Sequence, residues 1–489
     1  MPTEPEAVRL NLEYYRKSAK SLLKAAQSGD AAALERMARF SSGAPAALHQ
    51  AQLTLAREQG FASWPRFRAF LVESALDFQG LTAKFIDAAL DDLRLADEML
   101  ERHPALGRAG FFVALVLGDR KRVERAIGDS PTLVNAKGGP KNWQPLLYVC
   151  FSRFAAARSP RASELADVAR LLLAQGADPN ASQIDARYPE WPLPCLYAAS
   201  GLNNNVELAR LLLDAGARTD DNESLYHSTE HPDLACVRLL LERGASPNSP
   251  NSLNHMLDWE ALEGVRLLLA AGADPNSVNQ RGETSLHWAV WRGRSAPIVE
   301  ALLNAGASID SRRPDGTTAY VLAVRSGQTE TAKLLASRGA NTEVSALDRF
   351  IADCAAADPA DVARLVAAAP VEKLPEEYAR LMPEMASNHR TSAVRVLLAA
   401  GVPVDTRGEH GATALHWACW KGYPDLVKLL LDHGASLTIE DMAFHAPPPG
   451  WLDHGRENCH EGDGDYPAVE QLLRAAGAKM NDSPQLPAR

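Results

Sequence analysis

One arrangement of apolar and polar positions, V-x-x-LL-x-x-GA, recurs along the chain. It stands as VARLLLAQGADPN (168–180), LARLLLDAGARTD (208–220), VRLLLERGASPN (237–248) and VRLLLAAGADPN (265–276). It continues as VEALLNAGASID (299–310), AKLLASRGANTE (332–343), VRVLLAAGVPVD (394–405), VKLLLDHGASLT (427–438) and VEQLLRAAGAKM (469–480). In VKLLLDHGA, Val427, Leu430 and Leu431 fall at i, i+3 and i+4, which predicts one apolar face of a helix. Gly434 then predicts the left-handed residue that ends it. Upstream, Thr413 predicts the cap of a first helix whose narrow face is Leu415, Ala418 and Cys419. Two short antiparallel helices cannot bury their apolar faces alone, so the units are expected to stack side by side.

The glycines of the phrase are spaced by 40, 28, 28, 34, 33, 62, 33 and 43 residues. The value 62 reads as two units of 31, and 40 and 43 each as one unit with an insertion, giving a period of about 33 residues.

At this period, GATALHWACWKGYPDLVKLLLDHGASLT (411–438) and GETSLHWAVWRGRSAPIVEALLNAGASID (282–310) resemble ankyrin repeats, whose pattern is G-x-TPLHxAAxxGx…VxxLLxxGAxxN. The likeness is looser at 142–180, 193–220, 222–248, 251–276 and 316–343, and faint at 84–134, 345–405 and 446–480. The architecture is also similar to that of long bacterial ankyrin proteins with an N-terminal helical module. The resemblance implies an all-α solenoid of stacked helix pairs, running roughly from 80 to 480, whose work is to bind another protein.

Residues 1–78 depart from the period and predict a short helical module that caps the stack. SLLKAAQSGDAAALERMARF (21–40) reads as one worn helix pair, and 47–73 as two helices around a Gly60-Phe61 turn, with Trp64-Pro65 opening the second. KFIDAALDDLRLADEMLERHP (84–104) and RFIADCAAADPADVARLVAAAP (349–370) share a layout, which predicts two stacks, 80–343 and 344–480, with a disordered tail at 481–489. Insertions fall at 155–164, 181–194 and 445–465; the second, with Tyr188, Trp191 and three prolines, reads as a stiff aromatic finger.

A net charge of −10 argues against a general affinity for nucleic acid or an anionic membrane surface. Six dispersed cysteines without a CxxC pair fit a reducing cytoplasm better than a disulfide framework. No run approaches a membrane span, and the N-terminus lacks the apolar core of a signal peptide.

Catalytic motifs are absent: no P-loop, G-x-S-x-G, HExxH or GxGxxG. Two places carry chemistry-bearing residues. His445, His454, Cys459, His460, Glu461, Asp463 and Asp465 crowd the C-terminal insertion, but their spacing matches no compact zinc pattern. Tyr466 stands where a calcium loop requires glycine. His287 and His416 each follow a threonine by three residues, a spacing that in ankyrin repeats serves hydrogen bonding within and between turns. No cofactor and no metal are expected.

The resemblance also implies that positions after the small pair of the first helix face the concave groove and touch the partner. These are Trp291-Arg292, Trp420-Lys421, Arg325-Ser326 and Phe151-Ser152, with Asp258-Trp259 and Glu230-His231 in divergent units. Tryptophan and arginine are the residues most enriched at binding hot spots. The expected contact set is therefore Phe151, Tyr188, Trp191, Trp259, Trp291, Arg292, Arg325, Trp420 and Lys421. The competing reading for Trp291 and Trp420 is packing on neighbouring helices under a stacked cation. The leading expectation is a monomeric, non-enzymatic scaffold for a protein partner. The alternative is a metal-dependent or other enzymatic activity in the C-terminal insertion or the N-terminal module.

Overall fold

The computed structural model describes residues 11–40, 47–185, 189–249, 251–356, 360–367, 381–459 and 464–478. The predicted tail at 481–489 lies outside these residues, as do Tyr188, His460, Glu461 and Asp463. The chain divides into an N-terminal unit, Met1–Ser246, and a C-terminal unit, Pro247–Arg489. Apart from one two-stranded hairpin and isolated bridges, the described regular structure is helical.

The N-terminal unit begins with four helices, Leu12–Gln27, Ala31–Ala38, Leu48–Glu58 and Trp64–Ser74. They close on a core of Tyr15, Leu22, Leu55, Phe67 and Leu71. Gly60 takes the left-handed turn between the last two helices, and Pro65 sits in the first turn of the fourth, as the sequence predicts. Glu73, with a side chain only 1% exposed, ties this module to the next helix pair, Phe78–Asp91 and Leu93–Arg102. Its carboxylate accepts from Lys84 Nζ at 3.1 Å and from Arg102 Nη2 at 2.9 Å, with His103 Nε2 at 3.3 Å. Burial pushes the Glu73 carboxyl up, but those two hydrogen-bonding cations outweigh it and hold it below the usual range.

Helix pairs then follow one another. Three more complete the N-terminal unit after Phe111–Leu117 and Arg120–Asp129: Pro145–Phe151 with Ala162–Ala174, Cys195–Tyr197 with Val206–Asp214, and Ser224–Ser228 with Ala235–Glu242. The C-terminal unit runs from Ser252–Met256 with Leu262–Ala270 to Pro448–Asn458 with Tyr466–Ala475. The 62-residue gap resolves into two pairs, Ala346–Ala356 with Val362–Ala367 and Leu381–Ser387 with Thr391–Ala399. The two 28-residue spacings coincide with five-residue first helices, Ser224–Ser228 and Ser252–Met256, against seven in Ser285–Trp291.

The glycine of the recurring phrase does the work the pattern assigns it. At Gly434, φ is +79°, its N–H donates to Leu431 O, and the Ala435 N–H reaches back to Leu430 O. This double closure satisfies carbonyls that the helix end leaves free. A further device joins neighbouring repeats. The Asn276 amide donates to Gly306 O at 2.9 Å while its Oδ1 accepts from the Ser308 N–H at 2.7 Å, and Asn180 and Asn248 repeat the clasp. Asp310 and Asp405, lacking the amide donor, make the accepting half.

Among the described residues, no helix is long and apolar enough to cross a membrane.

Candidate functional site

The expected contact residues fall into separate environments. Within the N-terminal unit, Phe151 is 6% exposed, its ring 5.4 Å from Trp143 and 6.1 Å from Tyr197, so its side chain serves the core. The 181–194 insertion is a hairpin in which Ser182–Ile184 pairs antiparallel with Pro192–Pro194. It holds out Ile184 and Trp191, 62% and 57% exposed; Tyr188 lies outside the described residues.

In the C-terminal unit, Trp420 is half-buried beneath helix Pro448–Asn458. Its ring lies 5.9 Å from Trp451 and 5.0 Å from His454, and its carbonyl accepts from the Tyr466 hydroxyl at 3.1 Å. Lys421 follows it, half-buried at the end of the same helix, Ala414–Lys421. Trp291 stands differently. It tilts against Trp288 at 5.1 Å, and the Arg292 guanidinium lies 4.6 Å from the Trp291 ring and 4.8 Å from that of Trp288. Asp258 anchors the group, accepting from Trp288 Nε1 at 3.0 Å and facing Arg292 Nε at 2.9 Å. The neighbouring Trp259 is 37% exposed.

Trp291 and Arg325 come together on one cleft of about 600 Å³, which Trp417, Arg313, Glu384 and His410 also line. Two of its arginines are matched to carboxylates. Arg313 lies 3.2 Å from Glu283 and 3.9 Å from Asp315. Arg325 lies 2.5 Å from Asp348 and donates to Thr317 Oγ1 at 3.2 Å. Burial pushes the Asp348 carboxyl up, but hydrogen bonds from Ser345 and Arg325 prevail and hold it below its ordinary value. Glu384 is the exception. Its Oε1 accepts from Ser326 Oγ at 2.9 Å, and burial holds the carboxyl above the usual range against the pull of Ser326, Arg313 and Arg325.

Glu384 and Arg313 escaped the sequence reading. Glu384 sits on Leu381–Ser387, in the stretch where the phrase is faintest, so no register pointed to it. A signal for Trp417 did exist, since both LHWA copies place a tryptophan directly after the histidine.

The histidines themselves serve the turns. His416 Nδ1 accepts from the Thr413 N–H at 3.0 Å and Nε2 lies 3.2 Å from Ala446 O, which fixes the neutral tautomer with hydrogen on Nε2. Burial lowers its pKa to about 4. His287 and Thr284 repeat the Nδ1 half of this arrangement, at 2.8 Å between Oγ1 and Nδ1. In the 445–465 insertion, His454 lies against Trp420. No three His, Cys, Asp or Glu side chains are grouped to hold a metal among the described residues.

Sequence comparisons agree with the helix pairs, glycine closures and Thr-His turns. Residues 256–346 and 355–441 match the sequence pattern of ankyrin repeats. These two stretches, well under half of the chain, carry ankyrin repeats. It is 34% identical over 146 residues to an ankyrin repeat-containing protein of Treponema pallidum, a match covering 29% of this chain and 39% of that protein. It is 28% identical over 172 residues to human inversin, covering 35% of this chain and 13% of inversin. A third relative, the Arabidopsis thaliana E3 ubiquitin-protein ligase KEG, is 29% identical over 163 residues, with 33% of this chain and 8% of KEG covered. The chain thus spans well under half of each of these relatives.

Proposed function

We propose that this ankyrin chain is a non-enzymatic scaffold that binds a protein partner, and that the C-terminal unit does so through the cleft bearing Trp291 and Trp417. Ankyrin repeats in general are protein-interaction modules. The observation that carries the reading is the cleft itself: about 600 Å³, aromatic on its sides, with charges already paired around one carboxyl. Such a site grips a side chain or short segment through a few desolvated anchors. Of the expected contact set, Trp291 and Arg325 line the cleft, Arg292 stacks on the Trp291 ring, Trp259 follows Asp258 in sequence, and Trp191 offers a second, separate surface. Trp420 supports the C-terminal cap, and Phe151 a core. The partner is read as a protein, not nucleic acid or a membrane, because the chain carries a net charge of −10. The scaffold is read as a cytoplasmic monomer.

The test is affinity capture from lysate of the native cell with wild type, Trp291→Ala/Trp417→Ala and Trp191→Ala, each checked for folding by circular dichroism. A partner kept by Trp191→Ala and lost by the folded double variant is the expected result. A partner kept by the double variant overturns the cleft as the binding site, and one lost only by Trp191→Ala moves the site to the hairpin.

A further inference from the structure

Glu384 is out of keeping with the rest of its cleft. Arg313 and Arg325 face carboxylates within 4 Å, and Glu283 and Asp348 are the partners that neutralise them. An anion approaching these two arginines would have to displace one of these carboxylates. Glu384, by contrast, has no cation within salt-bridge reach among the described residues. Its one hydrogen bond comes from the neutral Ser326 hydroxyl to Oε1, leaving Oε2 without a hydrogen-bond donor among them. A half-buried acid left so is stabilised by a counter-charge arriving in the cleft. The flanking walls are indoles, the ring type with the strongest attraction for a cation on its face.

We propose that the cleft receives a cationic side chain, arginine or lysine, from the partner, with Glu384 as its counter-ion and Trp291 and Trp417 as its walls. This rests on the reading of the cleft as the partner site. Burial raises the Glu384 carboxyl; the arriving cation favours its charged form, and any proton released passes to solvent. Binding therefore strengthens as pH rises through the elevated titration of Glu384. The charged or titratable groups around it are Arg325 on helix Ala319–Arg325, Arg313 and Asp315 in the preceding turn, Glu283 and Arg281 one repeat earlier, and His410 one repeat later. His410 is common to wild type and variant, so the pH dependence is read as the difference between them.

The experiment uses the full chain with nitrogen-15-labelled tryptophan, the Trp291 and Trp417 indole signals being assigned by Trp→Phe variants. N-acetyl-arginine amide, N-acetyl-norleucine amide and N-acetyl-glutamate amide are titrated into wild type and Glu384→Gln. Glutamine keeps the volume and an acceptor for Ser326. Saturable shifts of both indoles by the arginine probe are expected, weakened about tenfold or more in Glu384→Gln and strengthening with rising pH in wild type alone. The norleucine and pH arms on wild type stand even where the variant folds poorly. Equal shifts from norleucine, or stronger ones from the glutamate probe, overturn the cation while leaving the cleft as a side-chain site. Silence of both indoles to all three probes overturns the cation and the cleft together.

Discussion

Replacing Gly455 by alanine asks directly whether Trp420 belongs to the packing of the C-terminal cap. Gly455 lies on helix Pro448–Asn458, where an added Cβ would stand 2.2 Å from the Trp420 carbonyl oxygen and 2.8 Å from its carbonyl carbon. Both atoms are backbone, so neither can swing aside, and restoring an ordinary contact of about 3.5 Å moves the helix by roughly 1 Å. That helix carries Trp451 and Leu452, which are 3% and 0% exposed. A gap of about 1 Å forfeits up to about half of their dispersion contacts, out of roughly 2–3 kcal/mol of burial for each. Alanine returns about 0.5–1 kcal/mol in helix propensity. The net loss is therefore about 2 kcal/mol. Gly450, on the same helix, is the control: its added Cβ meets Ala446 Cβ at 3.4 Å, an ordinary contact, so alanine there is neutral or slightly stabilising. A repeat array does not unfold as one unit, so a global midpoint would blur a local effect. Hydrogen exchange read by mass spectrometry on peptides from 448–456 and 466–475 resolves it. Exchange roughly 30-fold faster in Gly455→Ala, with Gly450→Ala unchanged, is expected. A wild-type rate in Gly455→Ala would refute the packing and return Trp420 to the binding surface.

Acid should loosen the repeat around His416. Its pKa is about 4 folded against an ordinary 6.5, so the unfolded chain takes the proton first; the stability present above pH 6.5 is lost as pH falls towards 4, to the extent of about 3 kcal/mol. Urea titrations followed by tryptophan emission at about pH 7 and about pH 4.5 should show a larger drop in wild type than in His416→Gln, and equal drops would sink the assignment. Glu73→Gln should weaken the seat of the four-helix module by about 2 kcal/mol, because it leaves Lys84 and Arg102 facing a neutral group. Because the folded carboxyl titrates below its usual value, this contribution is present above pH 4.5 and lost as pH falls through the folded pKa. Limited proteolysis near residues 74–77 should release the module faster at neutral pH, and an unchanged rate would count against the tie.

The sequence alone determined the repeat and its local chemistry, because these depend on groups close together in the chain. A period near 33 residues, the left-handed glycine that closes each copy of the recurring phrase and the Thr-His turn follow from spacing, propensity and capping. Even the 62-residue gap could be divided correctly, since two faint units still had to occupy two periods. What the tertiary structure decided is which side of a helix meets what. Trp291 and Trp420 occupy the same register, each followed by a cation, yet one lines an open cleft and the other lies under Pro448–Asn458. No local pattern separates them, because the difference lies in the helix that follows about 30 residues later. Glu384 makes the same point more sharply. Its raised carboxyl pKa and the tryptophans beside it are assembled by packing across successive repeats, so the site exists only once the array is stacked.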